Sequence, residues 1–243
     1  MGSTRLPGKV LLPILGTPML GWQLDRLARC RQLDALIVAT SDAASDDPLE
    51  AWCRAQGHAC HRGPVDDVLA RFVSAAEPYE ATWIVRLTGD CPLLDPALVD
   101  ETIAAAIGAD CDYFSNIEPP TFPDGMDVEV IRPAALRTAY AEATRPSDRE
   151  HVTTFIRQRP ERFSHGVLTA PVDLSGLRLT VDDPADFTLV TRILEALHAT
   201  SPEFGLKDIL DLLAHQPDWL QLNAGSVRNA GYARSVAEER PSS

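Results

Sequence analysis

Trp83-Ile84-Val85-Arg86-Leu87-Thr88-Gly89-Asp90 is the stretch on which the fold class turns. Five mostly apolar, β-favouring residues run into a Thr-Gly-Asp end that opens no helical period, so the stretch reads as a buried strand followed by a loop. A second run of this kind, Ala35-Leu36-Ile37-Val38-Ala39-Thr40, ends in Ser41-Asp42. Between the two lie helical patterns over 48–56, stopped by Gly57, and 66–76, with Val68, Leu69, Phe72 and Ala76 on one face. A short strand ends at His61-Arg62-Gly63. A helix over 19–31 precedes them, and helices over 96–107, 133–143, 148–157, 183–198 and 205–215 follow. Further strands are expected over 113–115 and 177–181, with a half-exposed one over 126–131, where apolar and acidic residues alternate. Strands that alternate with helices predict an α/β fold, with a mostly parallel sheet covered on both faces. Ligands in such sheets bind beyond the carboxyl ends of the strands. Thr40-Ser41, Thr88-Gly89-Asp90 and Val181-Asp182 occupy that edge. Residues 1–222 read as one domain, and 223–243 as a polar, loosely packed tail in which Gly231-Tyr232 docks.

The chain has 243 residues, 45% hydrophobic, and a formal net charge of −13 from 22 basic and 35 acidic side chains. That charge disfavours nucleic-acid and membrane-surface partners, so any phosphate site must be a local basic patch in an acidic protein. No apolar run is long enough to span a bilayer. Five cysteines, odd in number and without a C-x-x-C pair, predict reduced thiols and a cytoplasmic location. Cys53, His58, Cys60 and His61 cluster in sequence but match no zinc-ligand spacing.

The first nine residues, Met1-Gly2-Ser3-Thr4-Arg5-Leu6-Pro7-Gly8-Lys9, have no hydrophobic period and read as a loop. Glycines and consecutive amides can form an anion nest, Arg5 supplies a donor fork and Lys9 a compact charge, which together suit a polyphosphate. A flexible, solvated chain end would have the same composition. Asp90 and Asp182, each directly after a strand, could hold a hard divalent cation; either could equally be a turn residue. Asp183, just before Pro184, is a helix N-cap.

The chain resembles the spore-coat polysaccharide (SpsF-type) cytidylyltransferases, relatives of the synthetases of CMP-activated acidic sugars. The resemblance rests on MGSTRLPGKVLLPILG (1–16), VATSDAASDD (38–47), HRGPVDDVLARF (61–72), VRLTGDCPLLDP (85–96), DYFSNIEPPTFPDGMDVEV (112–130), SDREHVT (147–153) and LRLTVDDPADF (177–187), in that order, and faintly on NAGYARS (229–235).

The resemblance implies a Rossmann-like, glycosyltransferase-A-like (nucleotide-diphospho-sugar transferase) fold. It also implies Mg²⁺-dependent transfer of CMP from CTP to a small acidic acceptor, with release of pyrophosphate, in cell-surface polysaccharide synthesis. Carried over by position, Gly2, Ser3, Thr4, Arg5 and Lys9 form the triphosphate loop. Thr40, Ser41, Arg62, Thr88 and Gly89 lie by the nucleoside, and Asp90 and Asp182 bind Mg²⁺. Asp127, Glu129, Arg149, Glu150 and His151 face the acceptor. As structural alternatives, Arg149 and Glu150 form an exposed helix pair, His151 packs at the surface, and Asp127 and Glu129 form the wet face of a strand. Arg5, Lys9 and Asp90 carry the catalytic roles, and a homodimer is expected by analogy. Relatives carry an apolar strand before the glycine loop; this sequence starts at Met1, so the sheet is expected to lack that strand. A glycosyltransferase using a ready-made nucleotide sugar, with Asp110-Cys111-Asp112 or Asp182-Asp183 at its metal, and an inactive truncated homologue are the competing expectations.

Overall fold

The computed structural model describes residues 5–226, Arg228 and Tyr232. A short 3-10 turn at Lys9–Leu11 leads into the hairpin of β1 (Pro13–Ile14) and β2 (Thr17–Pro18), then α1 (Met19–Leu27). There follow β3 (Ile37–Ser41), α2 (Asp47–Gln56), β4 (Ala59–Gly63), α3 (Val68–Ala76), β5 (Ile84–Arg86) and α4 (Pro96–Ala109). The second half adds β6 (Tyr113–Ser115), β7 (Glu129–Ile131), α5 (Pro133–Glu142), α6 (Pro146–Glu150), α7 (Thr154–Arg157), β8 (His165–Val167), α8 (Pro184–His198) and α9 (Leu206–His215). Most ends follow local chemistry. Gly57 closes α2 in the left-handed region (φ 79°), Asp67 and Asp95 cap α3 and α4, and Asp183 forms a capping box with Asp186 at the head of α8.

The α/β class holds, with one parallel sheet and one mixed one. β3 and β4 pair in parallel, as do β6 and β8, whereas β7 runs antiparallel to both β5 and β6 in the order β5-β7-β6-β8. Among the described residues β3 pairs only with β4 and β5 only with β7. No ladder joins the two sheets among the described residues. Helices hold them together instead. On α1, Leu20 and Leu24 pack with Val38 and Cys60, while Met19 and Trp22 belong to the cluster that takes in Val85 and Leu87. On α3, Leu69 is buried with Ile131, and Val68, Phe72 and Val73 pack beside Ile84.

Three expectations need correction. The segment before Ile131 is not half-exposed: Glu129, Val130 and Ile131 are all buried, because Glu129 finds partners inside the sheet. The helix expected over 148–157 is two, α6 and α7, divided at Val152, whose φ of 61° cannot continue a helix and whose side chain is fully buried. Tertiary burial overrides the local pattern there. Residues 177–181 form no regular strand, only a bridge between Asp124 and Arg178. Their backbone is shared between two loops: Leu179 N donates to Asp124 O at 2.7 Å and Val181 N to Asp90 O at 2.9 Å. This crossing brings Asp90 beside Asp182.

Gly125 makes the crossing possible. Its φ is +102°, and an added Cβ would lie 2.5 Å from Thr180 N and 2.7 Å from Leu179 C, both backbone atoms. Gly125→Ala is expected to lower stability by about 2–4 kcal/mol through strain and clash, read as a lower urea midpoint with unchanged slope. No described helix is long and apolar enough to cross a membrane.

Candidate active site

Lys9 is the centre of the site. Gly8, in the left-handed region at φ 68°, turns the chain into the 3-10 turn that presents it. Its ammonium is 3.0 Å from Asp90 Oδ2 and 2.8 Å from Asp182 Oδ1, and donates to Val181 O at 2.6 Å. Burial pulls its pKa down, but the two carboxylates outweigh this and the net shift is upward. Burial alone would raise Asp182; Lys9 and Arg178 reverse that and hold it at about 2. Arg5 reaches the other oxygen of Asp182 at 3.2 Å.

Arg178, 8% exposed at its side chain, supports this cluster from below. It contacts Asp124 at 2.6 Å, Asp186 at 2.9 Å and Asp182 at 2.8 Å. Asn223 donates to Arg178 O and Asp186 Oδ1, and Ser226 to Asp183 Oδ2. Asn223 and Ser226 of the expected tail therefore dock on the site.

A second group continues from it. Arg228 donates to Phe122 O at 3.0 Å and to Asp127 Oδ1 at 2.6 Å. Burial pushes Asp127 up to about 6, with the charge of Arg228 opposing and those of Asp124 and Glu129 adding. Glu129, 3% exposed, is tied to Arg86 across the ladder and accepts from Tyr113 Oη at 2.9 Å. Asp124 feels Arg178 and Arg228 as well as Asp182 and Asp90, so the two groups form one electrostatic unit.

The other residues singled out from the sequence make contacts of their own outside the Lys9 cluster. Thr40 Oγ1 and Ser41 Oγ both donate to buried Asp46 Oδ2, at 2.6 and 2.7 Å. Arg62 clamps the following loop, donating to Ser41 O at 2.5 Å and Ala43 O at 2.8 Å and pairing with Glu50 and Asp47. Thr88 O accepts from Gln23 at 2.8 Å, and Gly89 is exposed. Arg149 donates to Ala143 O, pairs with Asp67 at 3.2 Å and stacks on Tyr140. His151 lies 3.7 Å from Glu150 and edge-on to Tyr232, with ring centroids 5.1 Å apart. Gly2, Ser3 and Thr4, and Gly231 in the tail, lie outside the described residues. Cys53 is fully buried, and burial pushes its thiol up to about 12.

Asp124, Arg178 and Arg228 were not singled out from the sequence. The first two sit inside matched motifs, and Arg228 directly precedes NAGYARS. No spacing rule marks the Asp124–Arg178 and Asp127–Arg228 pairs, whose members are 54 and 101 residues apart.

Asp90 and Asp182 pass a test of fit for a divalent cation. One oxygen of each lies within 3.0 Å of a single cationic nitrogen, so both aim at one point. Among the described residues no cluster of three or more His, Cys, Asp or Glu could hold a metal. Mg²⁺ bound by one or two carboxylates and completed by phosphate oxygens requires none.

This α/β protein, in which a lysine from the first turn and two aspartates from loops meet at one point, has the nucleotide-sugar transferase type of fold. A solved CMP:2-keto-3-deoxy-manno-octonic acid synthetase in complex with CTP has this fold, with a TM-score of 0.56 at 18% identity over 80% of this chain and 95% of its own. The cytidylyltransferase family profile matches residues 1–220, and the chain belongs to that family. It is 34% identical to the spore coat polysaccharide biosynthesis protein SpsF of Bacillus subtilis, over 90% of this chain and 92% of that one. It is also similar to a solved cytidylyltransferase from Leptospira borgpetersenii, with a TM-score of 0.86 and 31% identity, covering 91% and 93% of the two chains.

Proposed function

We propose that this chain transfers the cytidylyl group of CTP to an oxygen of a small acidic sugar, releasing pyrophosphate, in the synthesis of surface polysaccharide. The observation that carries the reading is the convergence of Lys9, Asp90 and Asp182, from three distant parts of a cytidylyltransferase chain. The acceptor oxygen attacks the α-phosphorus, its proton passes to solvent, and the bond to the pyrophosphate oxygen breaks. Lys9 and Arg5 leave their carboxylates to grip the phosphates, as mobile cations suit polyphosphate. Mg²⁺, held by Asp90 and Asp182, would supply charge neutralisation at the phosphate oxygens. Arg228, 18% exposed and beside Asp127, takes the acceptor's carboxylate with its remaining donors.

The test is pyrophosphate release from CTP, ATP, GTP and UTP over a panel of acidic sugars with Mg²⁺. Release confined to CTP with a 2-keto acid sugar supports the reading; tight binding of UDP- or GDP-sugars, with no release from CTP, refutes it. Arg228→Ala is expected to raise KM for the acceptor about 10–100-fold, the size of one lost charge-assisted pair, and to leave KM for CTP within about twofold. A larger change for CTP than for acceptor would place Arg228 on the nucleotide instead.

A further inference from the structure

A cavity of about 140 Å³ lies outside the Lys9 cluster and shares no residue with it. Trp22 and Arg26 of α1, Arg29 just beyond its end, His198 at the end of α8, and Phe204 wall it, with Asp25 and Pro202 at an exposed rim. Three of its polar atoms are buried without a hydrogen-bond partner: Arg26 Nη1, Arg29 Nη2 and His198 Nδ1.

Arg26 is the strongest of these. It is 3% exposed; its Nε donates to Leu94 O at 3.0 Å and its Nη2 to Leu93 O at 3.2 Å, leaving Nη1 over. Its charge is held in place at a cost. Burial lowers its pKa to about 10, and the charge of Arg29 acts in the same direction, only partly offset by Asp95. Neither arginine forms an ion pair with a carboxylate among the described residues. A buried unpaired donor is unfavourable, and a buried charged one more so. Two guanidiniums side by side, with unpartnered nitrogens and the His198 ring opposite, leave donors that an anion would satisfy. Aromatic contacts frame the cavity: Trp22 meets His198 edge-on at 4.7 Å, and the guanidinium of Arg26 stacks on Phe204 at 4.3 Å.

We infer that this cavity is a second binding site, for a phosphoryl group. Two guanidiniums, with the His198 ring facing them from α8, match the oxygens of a tetrahedral oxyanion better than a planar carboxylate. The ligand is inorganic phosphate or a small phosphate monoester whose organic part lies against Trp22 and Phe204. Arg26 also holds the carbonyls of Leu93 and Leu94, in the loop that follows Asp90, so the site is one loop away from the catalytic aspartate.

The test is thermal unfolding and calorimetric titration of the full chain with inorganic phosphate and, separately, glucose 1-phosphate, against sodium chloride at matched ionic strength. Phosphate at about 100 times its Kd is expected to raise Tm by about 5–10 °C, and Arg29→Met to weaken Kd about tenfold or more. The effect is expected to survive in Lys9→Met, which separates this site from the nucleotide site. Tighter binding of glucose 1-phosphate would identify a monoester site, and weaker binding a free-phosphate site. A phosphate effect lost in Lys9→Met but kept in Arg29→Met overturns the inference, as does a response no larger than that to chloride.

Discussion

Asp90→Asn is expected to lower pyrophosphate release from CTP by about 10²–10³-fold while the protein stays folded. The magnitude is that of removing one preorganised group facing developing charge, about 3–4 kcal/mol of barrier. Stability should change little, because the structural part of Asp90 is its backbone. Asp90 O accepts from Val181 N at 2.9 Å and from Thr180 Oγ1 at 3.2 Å, and both bonds survive the substitution. The side chain contacts Lys9 at 3.0 Å and is 27% exposed, so the amide can still hydrogen-bond to it and to water. Steady-state kinetics beside a urea melt reads both quantities. Activity within a few-fold of the parent, with an unchanged melt, would remove Asp90 from the chemistry and the proposed reaction with it.

Arg178→Met has the opposite profile and is expected to be the most destabilising change in the site. The guanidinium is 8% exposed at its side chain and neutralises Asp124, Asp182 and Asp186 together. Methionine keeps the packing volume but leaves three neighbouring carboxylates without their shared partner. Breaking a buried pair on one side costs about 3–5 kcal/mol, which for a chain of this size lowers Tm on the order of 10 °C. Lys9 and Arg5 still face Asp182, so the loss falls chiefly on Asp124 and Asp186. Denaturant unfolding checks it, and a loss below about 1 kcal/mol would show that the network is solvated rather than load-carrying.

The two variants separate the roles of residues that are nearly adjacent in space. In the proposed reaction Asp90 faces the ligand, whereas Arg178 fixes its neighbour Asp182. Arg228 forms the third side, and its position explains why residues beyond Asn223 dock here at all: Asn223, Ser226 and Arg228 each place a donor on a carboxylate or carbonyl of the site.

The sequence by itself determined the α/β class, most of the helices, and the set of groups at the strand ends. Those signals are local: a periodicity of 3.6 or 2, a glycine stop such as Gly57, a cap such as Asp183. It also pointed to Lys9, Asp90 and Asp182, since Asp90 and Asp182 end their apolar segments and Lys9 closes the glycine loop. Tertiary structure alone decided that β7 runs antiparallel, that the helix over 148–157 breaks at buried Val152, and that Glu129 turns inward to Arg86 and Tyr113. It alone gave Thr40 and Ser41 to Asp46, Arg62 to the loop after β3, and Arg228 to Asp127. The reason is physical. A strand's direction and a charge's partner depend on groups tens of residues away. The free energy of a buried polar group is set by whichever of those groups the folded chain brings within about 3 Å.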